Sequence, residues 1–234
     1  MKTLFDKLYN KSEESFYKIL EKNLKNDKKT FIVTANPETF MMSEKDEEMR
    51  ELLLDKNTIL VPDGIGIVKA ARMINYDVKE RIAGIANKLL ELGDKQKKTI
   101  YLFGSKQEVI DSMKEVLKKD YPNLELVGAS NGYEKDKDKV FEKIANVKPD
   151  IVLVALGIPL QEKLIYKHLD KFDKGIFVGV GGSFDVISGH KKRAPKIFIK
   201  LNLEWLYRIL KEPKRLKRFY DSNVKFLFKV KKYK

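Results

Sequence analysis

The chain has 234 residues, 43% of them apolar and 35% charged, a balance that supports a sizeable core and excludes global disorder. It has no cysteine and two histidines, His168 and His190. This excludes disulfides, cysteine-ligated metal and a thiol nucleophile, and leaves little material for a histidine metal site or a Ser-His-Asp triad. The formal net charge of +14 is unevenly placed: Lys191 to Lys234 holds 16 Lys and Arg against three Asp and Glu, so this stretch carries +13 and the first 190 residues +1.

The N-terminus lacks the apolar stretch and cleavage site of a signal peptide, and no run approaches the ~20 apolar residues needed to cross a bilayer. Residues 1–28 read as a helical lead-in with a polar connector. Lys29 to Thr34 is a buried strand ending at Asn36-Pro37, followed by a helical pattern through Met41, Met49, Leu52 and Leu53. Thr58 to Val61 is a second strand closed by Pro62-Asp63-Gly64, with helices over 66–74 and 84–92. Strands at 99–103, 124–127, 150–155 and 175–179 then alternate with helices at 106–119, 137–147 and 160–169. Short apolar strands alternating with helices predict an α/β fold. Its sheet is doubly wound, mostly parallel and Rossmann-like, occupies 29–194, and has its ligand crevice at the carboxyl ends of the strands. After Pro195, Ile197, Leu201, Trp205 and Ile209 recur at four-residue spacing and predict one amphipathic helix, broken by Pro213. Residues 195–234 thus form a basic appendage.

Four strand ends carry small or polar residues: Thr34-Ala-Asn-Pro37, Pro62-Asp-Gly-Ile-Gly66, Ala155-Leu-Gly-Ile-Pro-Leu-Gln-Glu162 and Gly179-Val-Gly-Gly-Ser-Phe-Asp185. Glycine there lets a ligand approach the backbone, and a following helix N-terminus favours an anion, so a phosphate or diphosphate ligand is expected. None is a P-loop, and Lys69 breaks the one partial G-x-G-x-x-G. Asp63 is placed either to act as a general base or to cap the next helix. Asn36 and Gln161 fit either ligand hydroxyls or turn chemistry. Asp136-Lys-Asp138 has a metal-binding spacing but lies in a charged run and reads as surface. The appendage interleaves Arg208, Arg215 and Arg218 with Trp205, Tyr207 and Phe219, which suits phosphate, an anionic membrane or nucleic acid.

In this order the motifs resemble the WecG/TagA/CpsF family of bacterial glycosyltransferases over roughly residues 30–220. Glu80-Arg-Ile-Ala-Gly84, Arg193-Ala-Pro195, Leu203-Glu-Trp-Leu-Tyr-Arg208 and Glu212-Pro213 complete the match. One position departs from the family: an aspartate usually stands two residues past Gly84, where this chain has Ala86.

The resemblance implies transfer of a sugar from a UDP-sugar to a polyprenyl-diphosphate-linked acceptor at the inner face of the cytoplasmic membrane. In the TagA branch this is N-acetylmannosamine moved onto undecaprenyl-diphosphate-N-acetylglucosamine, in wall teichoic acid linkage-unit synthesis. Relatives transfer N-acetylmannosaminuronic acid or glucose. It also implies inversion, no metal or other cofactor, and a site closed by the appendage. Asp63 is then the base. Thr34, Asn36, Arg81, Gln161, Gly157, Gly181 and Ser183 bind substrate, and Arg208, Arg215 and Arg218 bind phosphate. An NAD-dependent oxidoreductase and a nucleic-acid-binding module are the alternatives; the motif set favours the transferase, without nucleic acid, and leaves a homo-oligomer open.

Overall fold

The computed structural model describes residues 1–233, with the side chain of Arg215 outside that description. Six parallel strands form one sheet: β1 (Thr30–Ala35), β2 (Thr58–Pro62), β3 (Thr99–Gly104), β4 (Glu125–Ser130), β5 (Ile151–Ala155) and β6 (Ile176–Gly179). Their spatial order is β2-β1-β6-β5-β3-β4. Helices α1 (Lys2–Lys7) and α2 (Glu13–Lys25) precede β1. The crossovers are α3 (Pro37–Ser43) with α4 (Glu47–Leu54), α5 (Ile65–Met73) with α6 (Ile85–Lys95), α7 (Gln107–Asp120), α8 (Lys137–Val147) and α9 (Leu160–His168). After β6 come α10 (Ser183–Ile187), α11 (Lys196–Lys200), α12 (Glu204–Lys211), α13 (Arg215–Phe219), a π-helical turn over 220–224 and α14 (Lys225–Lys231).

The strands are apolar on both faces because helices cover both. Along β5, Val152 and Val154 face one core and Ile151 and Leu153 the other, and every residue of the strand is buried. One core takes α1, α3, α4, α5, α8, α9 and α14; the other takes α2, α6, α7 and α10. The doubly wound parallel sheet expected from the alternating pattern is therefore present.

Three expectations change. The lead-in is part of the body: Leu4, Phe5 and Leu8 are buried in one core and Phe16 and Leu20 in the other, and Leu8 bridges Leu60 alongside β2. The helix expected over 197–210 is two helices, because Asn202 takes a left-handed φ of 59° that ends α11 and lets α12 start in a new direction. Residues 195–234 are not wholly an appendage. Phe226 and Val230 of α14 are fully buried, with the Phe226 ring 5.7 Å from that of Phe40 and 6.3 Å from that of Phe5. The peripheral segment is an arch over 195–225, held by the body at both ends.

Candidate active site

The parallel register brings the predicted strand ends to one rim. Ala35 pairs with Pro62, and Val154 with Gly179. Adjacent strands lie about 4.8 Å apart, so the rim from β2 to β5 spans about 14 Å. Asp63 stands at one side of this crevice and the glycine turns of β5 and β6 at the other.

Asp63 continues β2 by one residue: its backbone N–H donates to the Ala35 carbonyl at 2.7 Å. Gly64 follows at φ 87°, a conformation that L side chains rarely adopt, and turns the chain directly into α5. The cap position of α5 falls on Gly64, which supplies no side chain. Asp63 is therefore not a helix cap, and its carboxylate makes no hydrogen bond among the described residues. It is half-buried by accessible surface yet ringed by protein atoms. Burial pushes its carboxyl above the usual aspartate range. The guanidinium of Arg208 and then that of Arg81 pull it back in part, and Glu204 adds to the rise.

Arg81 belongs to the stretch between α5 and α6, tied to the same strand end by a 2.7 Å hydrogen bond from Ile82 N–H to the Pro62 carbonyl. Arg208 lies on α12, where its Nη2 donates to Glu204 at 2.6 Å. The arch thus brings the charge of Arg208, expected from the sequence to bind phosphate, to Asp63.

Other candidates have different roles. Gln161 is 2% exposed. Its Oε1 accepts from the backbone N–H of Gly157 at 3.0 Å and of Gly181 at 3.2 Å, and its Nε2 donates to Glu162 at 2.7 Å. It stitches the two glycine turns together instead of presenting its amide to a sugar, and a Cβ on Gly179 would run into it. Gly157 and Gly181 themselves border open space on the rim. Asn36 caps α3, its Oδ1 accepting from Glu38 and Thr39 N–H at 2.9 and 3.1 Å, so only its Nδ2 is left for a ligand. Thr34 is half-buried in β1, opposite Val61. The Ser183 hydroxyl donates to the Val180 carbonyl at 2.7 Å. The α10 that it opens has five residues, a weaker anion site than expected.

Arg218 is not directed at a phosphate. Its guanidinium makes a two-pronged pair with Glu38 at the start of α3, at 2.7 and 2.9 Å, and so fastens the arch to the body. Arg215's side chain lies outside the described residues. Asp136 caps α8, and Asp138 pairs with Lys167 and with His168. His168 is buried and stacked on Phe141. Among the described residues no three His, Asp or Glu side chains converge as metal ligands would.

The profile of the glycosyl transferase WecG/TagA/CpsF family matches residues 3–234. The chain belongs to this family. A Bacillus subtilis relative, named N-acetylglucosaminyldiphosphoundecaprenol N-acetyl-beta-D-mannosaminyltransferase, is 42% identical over 212 residues, covering 89% of this chain and 82% of the relative. A Staphylococcus aureus protein of the same name is 35% identical over 206 residues, covering 87% and 80%. The departure from the family pattern at Ala86 falls on the inner face of α6, where Ala86 is 4% exposed in an apolar cluster. It is a packing position. Glu162, Glu204 and Glu38, which hold or modulate Gln161, Asp63 and Arg218, went unseen in the sequence of this WecG/TagA/CpsF protein. Glu162 and Glu204 lie within recognised motifs and Glu38 directly after one, with nothing in their spacing to name a partner.

Proposed function

We propose that this chain transfers N-acetylmannosamine from its UDP-sugar to undecaprenyl-diphosphate-N-acetylglucosamine, with inversion and without a metal. The observation that carries the proposal is the unpartnered Asp63 carboxylate on the crevice rim, under the charge of Arg208 from the arch. The names of the relatives supply the acceptor and the transferred sugar, and the family resemblance supplies UDP as its carrier.

A sugar hydroxyl is un-ionised at neutral pH, so its attack needs a base in the transition state. Asp63 takes the hydroxyl proton while the acceptor oxygen forms a bond to the anomeric carbon. The bond from that carbon to the diphosphate oxygen breaks, and UDP leaves with the electron pair. One base on the acceptor side suffices for a single displacement with inversion, unlike the paired carboxylates of glycosidases. A carboxyl held above its usual range is a stronger base than an ordinary aspartate. Arg208, reaching in from the arch, stabilises the negative charge that gathers on the departing diphosphate. Gln161 acts through the backbone, fixing the glycine turns that border the donor.

No helix of the described residues is long and apolar enough to cross a membrane. Ile197, Leu201, Trp205, Leu210 and Leu216 are nevertheless exposed along the arch, among its lysines and arginines. Such a surface suits the interface of an anionic membrane, where the lipid-linked acceptor resides, and we place the enzyme peripherally on the inner face.

The test is UDP release from UDP-N-acetylmannosamine with a short-chain lipid-diphosphate-N-acetylglucosamine, with and without EDTA. Acceptor-dependent release that survives EDTA is expected. Release only with UDP-glucose or UDP-N-acetylmannosaminuronate would replace the donor, and release abolished by EDTA and restored by a metal would overturn the metal-free step. Sedimentation with anionic vesicles, against self-association without them, distinguishes a membrane from a second copy of the chain as the partner of the arch.

A further inference from the structure

Beside Asp63, on the side away from the glycine turns, lies a cleft of about 440 Å³. Its walls include Arg72 and Ile65 of α5, Lys79 and Arg81 of the stretch after it, and Arg193 and Asn202 from the base of the arch. Two carboxylates also line it, but both are engaged by backbone amides. Glu13 accepts from Ala83 N–H at 2.9 Å, and Glu80 accepts from Glu13 N–H at 2.8 Å. Arg72 holds the loop through the carbonyls of Val78 and Lys79 and has no carboxylate partner. The side chains of Lys79, Arg81 and Arg193 make no hydrogen bond and no ion pair among the described residues. Four cations, Arg72, Lys79, Arg81 and Arg193, therefore border one cavity against two carboxylates, and the cavity is left with an excess of positive charge.

We infer that this cleft seats the diphosphate of the lipid-linked acceptor, with Lys79 and Arg193 as binding residues beside Arg81. The inference rests on the proposed transfer reaction and deepens it. The donor's diphosphate belongs at the other side, with the glycine turns. Ile65, two residues past Asp63, lines the cleft, so an anion bound there lies next to the base that serves the acceptor hydroxyl. The surroundings also select a lipid diphosphate over a free one. Between Arg193 and Asn202 in the chain, Ile197 and Leu201 stand 64% and 60% exposed, an apolar border for a prenyl chain leaving a charged pocket.

Two measurements on the full chain test this. In steady-state kinetics with the short-chain acceptor, Lys79→Ala and Arg193→Ala are expected to raise the acceptor KM tenfold or more, while the UDP-N-acetylmannosamine KM moves by less than about twofold. A donor KM that rises instead, or an unchanged acceptor KM in both variants, overturns the inference. The second measurement needs no turnover: pyrophosphate and a short-chain prenyl diphosphate are titrated calorimetrically into protein saturated with UDP. The wild type is expected to bind both, the prenyl compound more tightly, and the Lys79→Ala/Arg193→Ala double variant at least tenfold more weakly. Equal binding by wild type and double variant, or no binding by the wild type, overturns the cleft assignment even if transfer is observed. Binding lost in the double variant while no acceptor is glycosylated by the wild type leaves the diphosphate site standing and fails the transferase reading instead.

Discussion

Asp63 combines a free carboxylate with a position in which its charge is costly, and both properties are measurable. As the base, Asp63 acts only when ionised. Its carboxyl is held above the usual aspartate range, so activity falls as the pH drops through a value higher than the ~3.9 of an exposed aspartate. Asp63→Asn is expected to lower kcat by about 10²–10⁴-fold with UDP affinity retained. Arg208→Gln removes the strongest influence opposing the upward shift, so the acid limb of kcat/KM should move to higher pH; an unmoved or lowered limb would separate Arg208 from Asp63. Stability supplies a second sign. A carboxyl whose folded value is raised lowers stability as the pH rises from its unfolded value through the folded one, and the cost persists above it. Asp63→Asn should therefore melt higher than the wild type at neutral pH, by about 2–4 °C for each kcal/mol recovered. Glu162 follows the same rule: it is 1% exposed, its Oε2 has no partner, and burial pushes its carboxyl upward. Glu162→Gln should keep the turns in place with full activity. Glu162→Ala, which frees the Gln161 amide, should raise the donor KM, and equal kinetics for the two would show that Glu162 does not position the turns. Asp63 was legible in the sequence because a carboxylate between a strand, a proline and a glycine serves no core. Gln161 and Asn36 take the turn and cap chemistry that the sequence also allowed, and Arg218 pairs with Glu38 where a phosphate was expected; a polar residue's position in a motif does not say whether backbone, another side chain or ligand will take its hydrogen bonds.

At the scale of elements, the arch is built to rest against the body without merging into it. Helix α12 has no buried residue, while Trp205 stacks on Phe219 with ring centroids 4.5 Å apart, so α12 and α13 pack on one another. The Arg218–Glu38 fork is the side-chain fastening to α3. The pair is largely exposed on the arginine side, so its net worth is of the order of 1 kcal/mol or less. That is worth at most about 2–4 °C in melting and is enough to change how often Arg208 sits over Asp63. Arg218→Ala and Glu38→Ala should each lower kcat several-fold with no larger shift in melting temperature than that, and the double variant should be no worse than either single one. Additive losses would mean that the two act separately. The sequence foretold the strands and crossover helices because burial on both faces leaves continuous apolar runs. It hid the break at Asn202, where neither glycine nor proline marks the turn, and the anchoring of α14, whose two core residues are surrounded by lysines that suggest a solvated tail.

For the whole molecule, the C-terminal helix belongs to the same core as the N-terminal one. Phe226 meets Phe5 and Phe40, and Lys229 pairs with Glu44 at 2.8 Å. Phe226→Ala is expected to cost about 3–5 kcal/mol and to lower the melting temperature by roughly 10 °C. A loss below about 1 kcal/mol would return α14 to the appendage. Removing residues 196–234 should accordingly unsettle the body itself, whereas exchanging residues within 197–216 should spare it.

Attachment at both ends also decides how the arch opens. A free tail peels from its tip, and its amide hydrogens exchange faster toward the end of the chain. A segment pinned at Ala194 and at Phe226, which are 6% and 0% exposed, lifts as one unit. Hydrogen exchange should show α11, α12 and α13 opening together at one rate while α14 stays protected. Binding of UDP or anionic vesicles should slow that common rate and leave the helices on either side unchanged.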